Sequence, residues 1–250
     1  MTQTLRTQGL SKHFGDFKAN SDITLTFAPG ARQALIGPNG AGKTTFINLL
    51  TGAHVPTAGD VFLGDECITA LAEHQRVKRG VTRTFQITTL FPGLTVLESV
   101  VLAINERTAS ARTWRKTVAS CRAEIDEAME ILRGLRLELE ADTETRALAY
   151  GKQRVVEIAL ALATRPSILL LDEPAAGIPA AESAELFSVL AALPRDVTVL
   201  FIEHDMDLVF RFAERITVLV GGSVLVEGTP AEIARDARVR EVYLGEAAHG

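Results

Sequence analysis

The chain has 250 residues, which is enough to bury one large hydrophobic core or two modest ones. Hydrophobic residues make up 47% of it, as in ordinary globular proteins, and the formal net charge of −5 provides no broad basic field, which argues against nucleic acid as the main partner. The N-terminal residues lack the apolar core of a signal peptide, and no apolar run approaches the length of a membrane span, so we expect neither feature.

The first part of the chain predicts short strands that lead into a phosphate-binding loop. Residues 5–36 alternate β-like runs with turn signals and end in Ala34–Ile36, an apolar run typical of a buried strand. The sequence GPNGAGKT follows at residues 37–44, and a helix is predicted from about Lys43 to Leu50. This order of strand, glycine-rich loop and helix is the context that a nucleotide-binding P-loop requires.

The glycines of this loop allow the backbone to surround phosphate. Gly37, Gly40 and Gly42 have no Cβ, so successive N–H groups can approach an anion closely. The loop opens a helix, and the N-terminal end of the helix dipole also favours phosphate. Lys43 is predicted to reach the β- and γ-phosphates, and the Thr44 hydroxyl to take a Mg2+ position. The sequence therefore predicts a site for Mg-ATP.

The middle of the chain is predicted to be a helical block inserted into an α/β core. Residues 46–86 have mostly strand-like character and end at Val81–Gln86, whereas residues 90–165 have helical composition and spacing. Strands then return in alternation with helices, which predicts parallel strands covered by helices. Gly221–Gly222 predicts a tight hairpin turn and an antiparallel pair. The expected later elements are strands Ile168–Asp172, Val197–Glu203, Ile216–Val220 and Ser223–Glu227, with helices at about Ala180–Leu193 and Met206–Ala213.

Two carboxylates, Asp172 and Glu173, end an apolar run and suggest the chemistry of the site. At the carboxyl end of a buried strand beside a P-loop, Asp172 can hold Mg2+ through its water shell, and Glu173 can polarise an attacking water. His204 follows another predicted strand and can donate a hydrogen bond to a γ-phosphate oxygen. Gln86 can offer its side-chain oxygen to Mg2+, but neither it nor His204 is a strong signal alone.

The order of these motifs resembles the nucleotide-binding subunit of ABC transporters. GPNGAGKT, Gln86, a glycine motif at Leu148–Gln153, LLLDEP and the late His204 follow one another in the family's order, and the resemblance extends from about Leu5 to Gly245. It implies a single ABC ATPase domain over residues 1–250, with an α/β P-loop NTPase core, a mixed sheet, antiparallel β elements and an inserted helical subdomain. The implied core covers residues 1–86 and 166–250, and the helical subdomain covers about 87–165.

The same resemblance implies a role for each matching residue. The implied ATP-binding residues are Phe14, as the aromatic that stacks on adenine, then Gly37, Pro38, Asn39, Gly40, Ala41, Gly42, Lys43, Thr44 and Thr45 of the phosphate loop, and Ala149, Tyr150, Gly151 and Lys152 of the family signature. Thr44, Gln86 and Asp172 are the implied Mg2+ ligands, and Gln86 is also the link to a transmembrane partner. Glu173 resembles the catalytic base, and His204 resembles the switch histidine.

Two positions depart from the common family pattern. The signature reads Leu-Ala-Tyr-Gly-Lys, so Ala149 lacks the hydroxyl that usually bonds the γ-phosphate of the partner's ATP, although Gly151 and a helix predicted at Gln153–Leu162 remain to bind phosphate. Pro179 stands where the family usually has Asp or Asn, and it offers neither that side chain nor an N–H. The LAYG and DEPAAG sequences and the ending VYLGE resemble the subgroup that takes up branched-chain (hydrophobic) amino acids.

The resemblance implies two ATPase subunits, identical or related, that close head to tail around ATP. Hydrolysis then reopens them, and motion passes through about residues 87–97 to integral membrane permease subunits at the cytoplasmic face of the membrane, with a substrate-binding protein as an indirect partner. Branched-chain or other hydrophobic amino acids, amides and urea all fit as cargo. The alternatives are a soluble ABC-type ATPase scaffold, for example in metal-cluster assembly, and an exporter ATPase.

Two further expectations concern side chains outside these motifs. Cys67 and Cys121 are isolated from each other and from histidine, so we expect two buried thiols in a reducing cytosol, with a disulfide between them as the alternative. The basic residues Arg76, Lys78, Arg79 and Arg83 precede Gln86, and a solvated charged face is the preferred interpretation, with contact to lipid headgroups or a partner as the alternative.

Overall fold

A computed structural model describes residues 3–84, 91–108 and 122–246 of the chain. Within these ranges the strands are β1 (Leu5–Phe14), β2 (Phe17–Phe27), β3 (Arg32–Ile36), β4 (Ala58–Leu63), β5 (Glu66–Cys67), β6 (Val81–Arg83), β7 (Ile168–Asp172), β8 (Thr198–Ile202), β9 (Arg215–Val220) and β10 (Ser223–Gly228). The α-helices are α1 (Lys43–Thr51), α2 (Glu73–Val77), α3 (Val96–Arg107), α4 (Arg122–Gly134), α5 (Tyr150–Ala163), α6 (Ala180–Ala192), α7 (Met206–Phe212), α8 (Pro230–Arg235) and α9 (Ala237–Glu246).

Two sheets form the framework, and together they confirm the predicted α/β fold with antiparallel elements. The smaller sheet has the strand order β2-β1-β4-β5 and is antiparallel. The larger sheet has the order β10-β9-β3-β8-β7-β6, and its strands are parallel except for β10. The hairpin at Gly221–Gly222 joins β9 to β10 as expected.

Apolar residues on both faces explain why the central strands of the large sheet are buried. Along β7, Leu169 and Leu171 face one hydrophobic cluster, whereas Ile168 and Leu170 face another. Helix α1 and the small sheet cover the second face, and α3 to α7 cover the first. Parallel strands require such cover on both sides, because neither face can remain apolar in water. The carboxyl ends of β3, β7 and β8 therefore meet at one edge, between the helices on one face and α1 with the small sheet on the other.

Helices α3, α4 and α5 pack against one another between β6 and β7 in the chain. Helix α3 begins with a capping box in which Thr95 and Glu98 bond each other's backbone N–H, and it buries Val96, Val100 and Ile104 at helical spacing. The carboxylate of Glu127 on α4 accepts hydrogen bonds from Arg107 and Arg165. None of the helices in the described ranges combines the length and apolar character needed to cross a membrane.

The structure corrects two expectations about side-chain burial. Cys67 is exposed rather than buried, because it lies on the short edge strand β5, and Cys121 lies outside the described residues. The basic residues before Gln86 do not form one solvated face. Arg76 is only 1% exposed, and its guanidinium donates hydrogen bonds to the carbonyls of Leu49, Leu50, Thr69 and Leu71.

The burial of Arg76 has a simple electrostatic cause. The last carbonyls of a helix have no partner within the helix and carry partial negative charge, and Arg76 places a cation against those at the end of α1. Burial lowers the pKa of Arg76 to about 10, which still leaves it charged at neutral pH. The helix that begins at the phosphate loop is therefore fixed at its opposite end by a buried charge.

Candidate functional site

The loop between β3 and α1 has the predicted backbone geometry. Gly42 precedes the helix with φ of 93°, in the left-handed region that favours glycine, and Phe46 N donates to its carbonyl at 2.9 Å. A Cβ at Gly37 would lie 2.2 Å from the carbonyl oxygen of Leu219, and a Cβ at Gly42 would lie 2.3 Å from that of Ala19. Side chains at these two positions would therefore collide with neighbouring backbone, which explains the requirement for glycine.

Lys43 lies across this loop. Its side chain is almost fully buried, and Nζ donates hydrogen bonds to the carbonyls of Gly37 at 2.7 Å and Pro38 at 3.0 Å. These contacts hold the ammonium group over the concave side of the loop, where phosphate oxygens would meet it. The predicted role of Lys43 in binding β- and γ-phosphates fits this placement.

A cavity of about 250 Å3 opens directly above the loop. Its lining consists of Phe17, Ala19, Asn39, Gly40, Ala41, Gly42, Lys43, Thr44, Thr45, Glu173 and His204. Residues from four parts of the sequence converge here, and three of these parts meet because β3, β7 and β8 are neighbours in the large sheet. Phe17 and Ala19 were not predicted to be site residues, because they belong to no motif and reach the site through β2.

Glu173 and His204 form a pair at the edge of the cavity. The Nε2 atom of His204 lies 2.8 Å from Oε1 of Glu173, and both side chains are partly exposed. Glu173 has a positive φ of 51°, which is uncommon for a residue with a side chain, and its N–H donates to the carbonyl of Ile202 at 3.1 Å. The turn aims the carboxylate out of the sheet edge and towards the phosphate loop.

Asp172 is the buried acid of the site. Its side chain is fully buried, and Oδ2 accepts a hydrogen bond from Nη2 of Arg83 at 2.6 Å. Burial raises the pKa of the Asp172 carboxyl, and the charge of Arg83 opposes that rise. Oδ1 is buried without a hydrogen-bond partner, which is costly for a carboxylate oxygen and fits a position that would face a hydrated divalent cation.

The signature motif is placed differently from the sequence expectation. Helix α5 begins at Tyr150 rather than at Gln153, and Ala149 is its N-cap residue without a side-chain cap. The motif therefore forms the first turn of the helix, with Gly151 buried and Lys152 paired with Glu140. The signature residues are not among those that line the cavity of their own chain.

Phe14, the predicted adenine-stacking residue, does not line the cavity. The ring of Phe14 is 46% exposed and packs edge-on against His54 with a centroid distance of 5.6 Å. Of the aromatic residues in the described ranges, Phe17 and not Phe14 lines the cavity. Gln86 lies outside the described residues, so its role as a Mg2+ ligand stays a prediction.

Comparison with protein families gives two matches. Residues 20–176 match the ABC transporter family, and this span contains the phosphate loop, the signature and both carboxylates. Residues 223–249 match a second model, described as branched-chain amino acid ATP-binding cassette transporter.

Curated relatives are similar over almost the whole chain. The high-affinity branched-chain amino acid transport ATP-binding protein LivG of Escherichia coli is 40% identical over 97% of this chain and 98% of its own length. BraF of Pseudomonas aeruginosa, which carries the same description, is 41% identical with the same coverage. A probable LivG of Archaeoglobus fulgidus is 35% identical over 96% of this chain and 95% of its own.

Solved structures of ATP-binding cassettes share the fold. A cassette of an ABC transporter in its ADP conformation superposes with a TM-score of 0.83 at 29% identity, covering 98% of this chain and 100% of that one. The dimeric structure of a bacterial ABC transporter cassette has a TM-score of 0.74 at 27% identity, covering 90% of this chain and 98% of the other.

Proposed function

Since the chain belongs to the ABC transporter family of ATP-binding cassettes and is an ATPase of that family, we propose that it powers an importer of branched-chain or related hydrophobic amino acids, with amides and urea as neighbouring possibilities. The observation that carries the catalytic part of this proposal is the cavity in which the phosphate loop faces the Glu173–His204 pair. The cargo rests on similarity to LivG and BraF and on the C-terminal match.

In the proposed mechanism, the phosphate loop binds ATP and Glu173 acts as the base. Backbone N–H groups and Lys43 hold the β- and γ-phosphates, while the Glu173 carboxylate orients a water molecule and accepts its proton. His204, which bonds Glu173, holds the γ-phosphate and water in line. Phe14 is proposed to stack on adenine.

Thr44, Asp172 and Gln86 are proposed to hold Mg2+. When bound, this ion neutralises charge on the β- and γ-phosphate oxygens. The unpartnered Oδ1 atom of Asp172 supports the assignment, since a buried carboxylate oxygen needs a donor or a cation. The carboxylate of Asp172 and the hydroxyl of Thr44 both offer oxygen atoms, which are the ligands that Mg2+ prefers.

A second ATPase subunit, identical or related, is proposed to cover the cavity head to tail. Ala149, Tyr150, Gly151 and Lys152 do not line the cavity of their own chain, and as the first turn of α5 they present backbone N–H groups that can bind the phosphate of a partner's ATP. The dimeric cassette with the same fold supports this arrangement. ATP binding would then close the pair, and hydrolysis would reopen it.

The remaining partners are proposed from the relatives. Integral membrane permease subunits would receive the motion through residues 87–97 at the cytoplasmic face of the membrane, and a substrate-binding protein would be an indirect partner. The proposed division of the single ABC ATPase domain is a core of residues 1–86 and 166–250 with an inserted helical subdomain at about 87–165. The C-terminal match favours this importer over an exporter ATPase or a soluble scaffold in metal-cluster assembly.

Replacement of the base tests the catalytic part. We expect Glu173→Gln to bind ATP with unchanged affinity and to form a stable ATP-dependent dimer in light scattering, because hydrolysis no longer releases it. Hydrolysis at the wild-type rate in this variant would disprove the role of Glu173. For the transport part, vesicles with the chain and its co-expressed permeases, oriented with the ATPase side towards the lumen, should accumulate radiolabelled leucine when ATP is loaded inside and the substrate-binding protein is added outside. Outward movement alone would contradict the importer.

A further inference from the structure

Glu203 connects the two loops that carry the Glu173–His204 pair. It follows β8 directly and is 6% exposed. One carboxylate oxygen, Oε1, accepts a hydrogen bond from the N–H of Ala175 at 2.9 Å, and the other, Oε2, accepts from the N–H of His204 at 3.1 Å. Both oxygens of a nearly buried carboxylate are therefore used to bond backbone on two different loops.

The backbone at this point needs such a connection. The pairing of β7 with β8 ends at Asp172 and Ile202, and only the N–H of Glu173 extends it, by a bond to the Ile202 carbonyl. Glu173 itself adopts a left-handed φ, which persists only where the surroundings hold it. Beyond the ladder, the Glu173–His204 pair joins the two loops through side chains, whereas the bond from Ala175 to Glu203 holds the backbone on the far side of Glu173.

The chemistry of a carboxylate suits this position. An ionised carboxylate only accepts hydrogen bonds, so two converging N–H groups can be satisfied together. Burial raises the pKa of the Glu203 carboxyl, and the N–H donors of Ala175 and His204 oppose that rise. Glu203 does not line the cavity above the phosphate loop, so this connection is separate from the surface that receives ATP.

We propose that Glu203 is a positioning residue for ATP hydrolysis, which holds the Glu173 loop and the His204 loop at the separation that the Glu173–His204 pair requires. The inference rests on the proposed roles of Glu173 and His204. It predicts that Glu203 affects the chemical step and not ATP binding. The reason is that the phosphate loop and Lys43 follow β3, whereas the loops that Glu203 joins follow β7 and β8.

The test compares Glu203→Ala and Glu203→Gln with wild type, using the full chain co-expressed with its transporter partners. Glu203→Ala removes both acceptors, and we expect kcat to fall about 100-fold, as for a small displacement of reacting groups, while the Kd for ATP changes less than threefold. Gln can accept from only one N–H because its amide nitrogen is a donor, so Glu203→Gln should recover part of the lost rate. Amide hydrogen exchange at Ala175 should accelerate in Glu203→Ala.

Glu232 provides a matched control, because its carboxylate also accepts from a backbone N–H, that of Thr229, at the start of α8. Glu232→Ala should leave kcat unchanged. The inference is overturned if Glu203→Ala keeps kcat within twofold of wild type, or if kcat and ATP affinity fall together, which would indicate general disruption of the fold. Glu173→Gln is measured in parallel. An active Glu173→Gln would refute the proposed base, whereas an inactive Glu173→Gln beside a fully active Glu203→Ala would refute only the inference about Glu203.

Discussion

Replacement of Arg83 by methionine tests whether the buried ion pair between Arg83 and Asp172 stabilises the folded protein. Arg83 donates to Oδ2 of Asp172 at 2.6 Å and to Oδ1 of Asn48 at the same distance, so it joins β6, β7 and α1. Methionine fills similar volume but removes the ion-pair partner of the Asp172 carboxylate, which is fully buried, and leaves Lys43 as its remaining nearby cation. Oδ1 of Asp172 has no hydrogen-bond partner among the described residues, so only the charge of Lys43 remains to offset part of the loss.

The expected loss of stability follows from removing one partner of a buried ion pair and leaving the other in place. Such a change costs about 3–5 kcal/mol of unfolding free energy, because a buried carboxylate loses the partner to which it is directly hydrogen-bonded. For a chain of this size that loss lowers Tm by roughly 6–20 °C, at about 2–4 °C per kcal/mol. Arg79→Met is the matched control, since Arg79 pairs with Glu66 on the surface, and an exposed pair contributes at most about 1 kcal/mol.

The pH dependence of the same variant has a definite sign. The pKa of Asp172 is raised in the folded protein, and loss of Arg83 raises it further because a cation no longer favours the carboxylate. An acid with a raised folded pKa contributes its stability below the unfolded pKa and loses it as pH rises. The deficit of Arg83→Met relative to wild type should therefore be smallest near the ordinary aspartic acid pKa of about 4 and grow towards pH 8.

Equilibrium unfolding in urea, with EDTA and without nucleotide, measures this deficit, and a double variant sharpens the result. Arg83→Met combined with Asp172→Asn removes both charges, so it should regain most of the loss, which gives a large coupling energy in a double-mutant cycle. A loss below about 1 kcal/mol in Arg83→Met, or additive losses in the double variant, would refute the reasoning from a buried pair.

Four further substitutions test other parts of the molecule. Lys43→Ala should raise the Kd for ATP by about 10–100-fold in calorimetry, because a charged donor to phosphate is lost, and unchanged affinity would remove the predicted phosphate contact. Phe14→Ala should weaken ATP binding by roughly tenfold through lost stacking on adenine. Phe17→Ala is its comparison, and a larger effect there would assign the adenine to Phe17, which lines the cavity. Arg76→Met should cost at least about 2 kcal/mol in urea unfolding, since it leaves buried carbonyls without donors, and a solvated-face role would instead predict no change.

The parts of the site that local sequence determines were predictable. GPNGAGKT specifies a backbone shape through its glycines, and the apolar run before Asp172 specifies a buried strand that ends in acids, so the loop, its helix and the position of both carboxylates follow from short stretches of sequence. Similarity to known cassettes confirms the fold that these motifs imply. The start of α5 at Tyr150 was missed because Ala149 carries no capping side chain to mark it.

Contacts between distant residues were not predictable in the same way. Arg83 and Asp172 are far apart in the chain and meet only because β6 and β7 pair in the sheet. Arg76 was expected in solvent, since charge patterning alone does not reveal that the end of α1 presents carbonyls to it. Glu203 showed no signal because it has no motif, and its function depends on two N–H groups whose positions only the folded backbone defines.

The left-handed backbone conformation of Glu173 places thermal stability and ATPase activity in competition at this position. Glycine adopts that conformation without steric penalty, so it is the residue that the main chain would tolerate most easily. Glycine has no carboxylate, so the variant with the least backbone strain at this position would lack the proposed catalytic base. Directed evolution for thermal stability alone is therefore expected to select substitutions at this position that lower the rate of ATP hydrolysis.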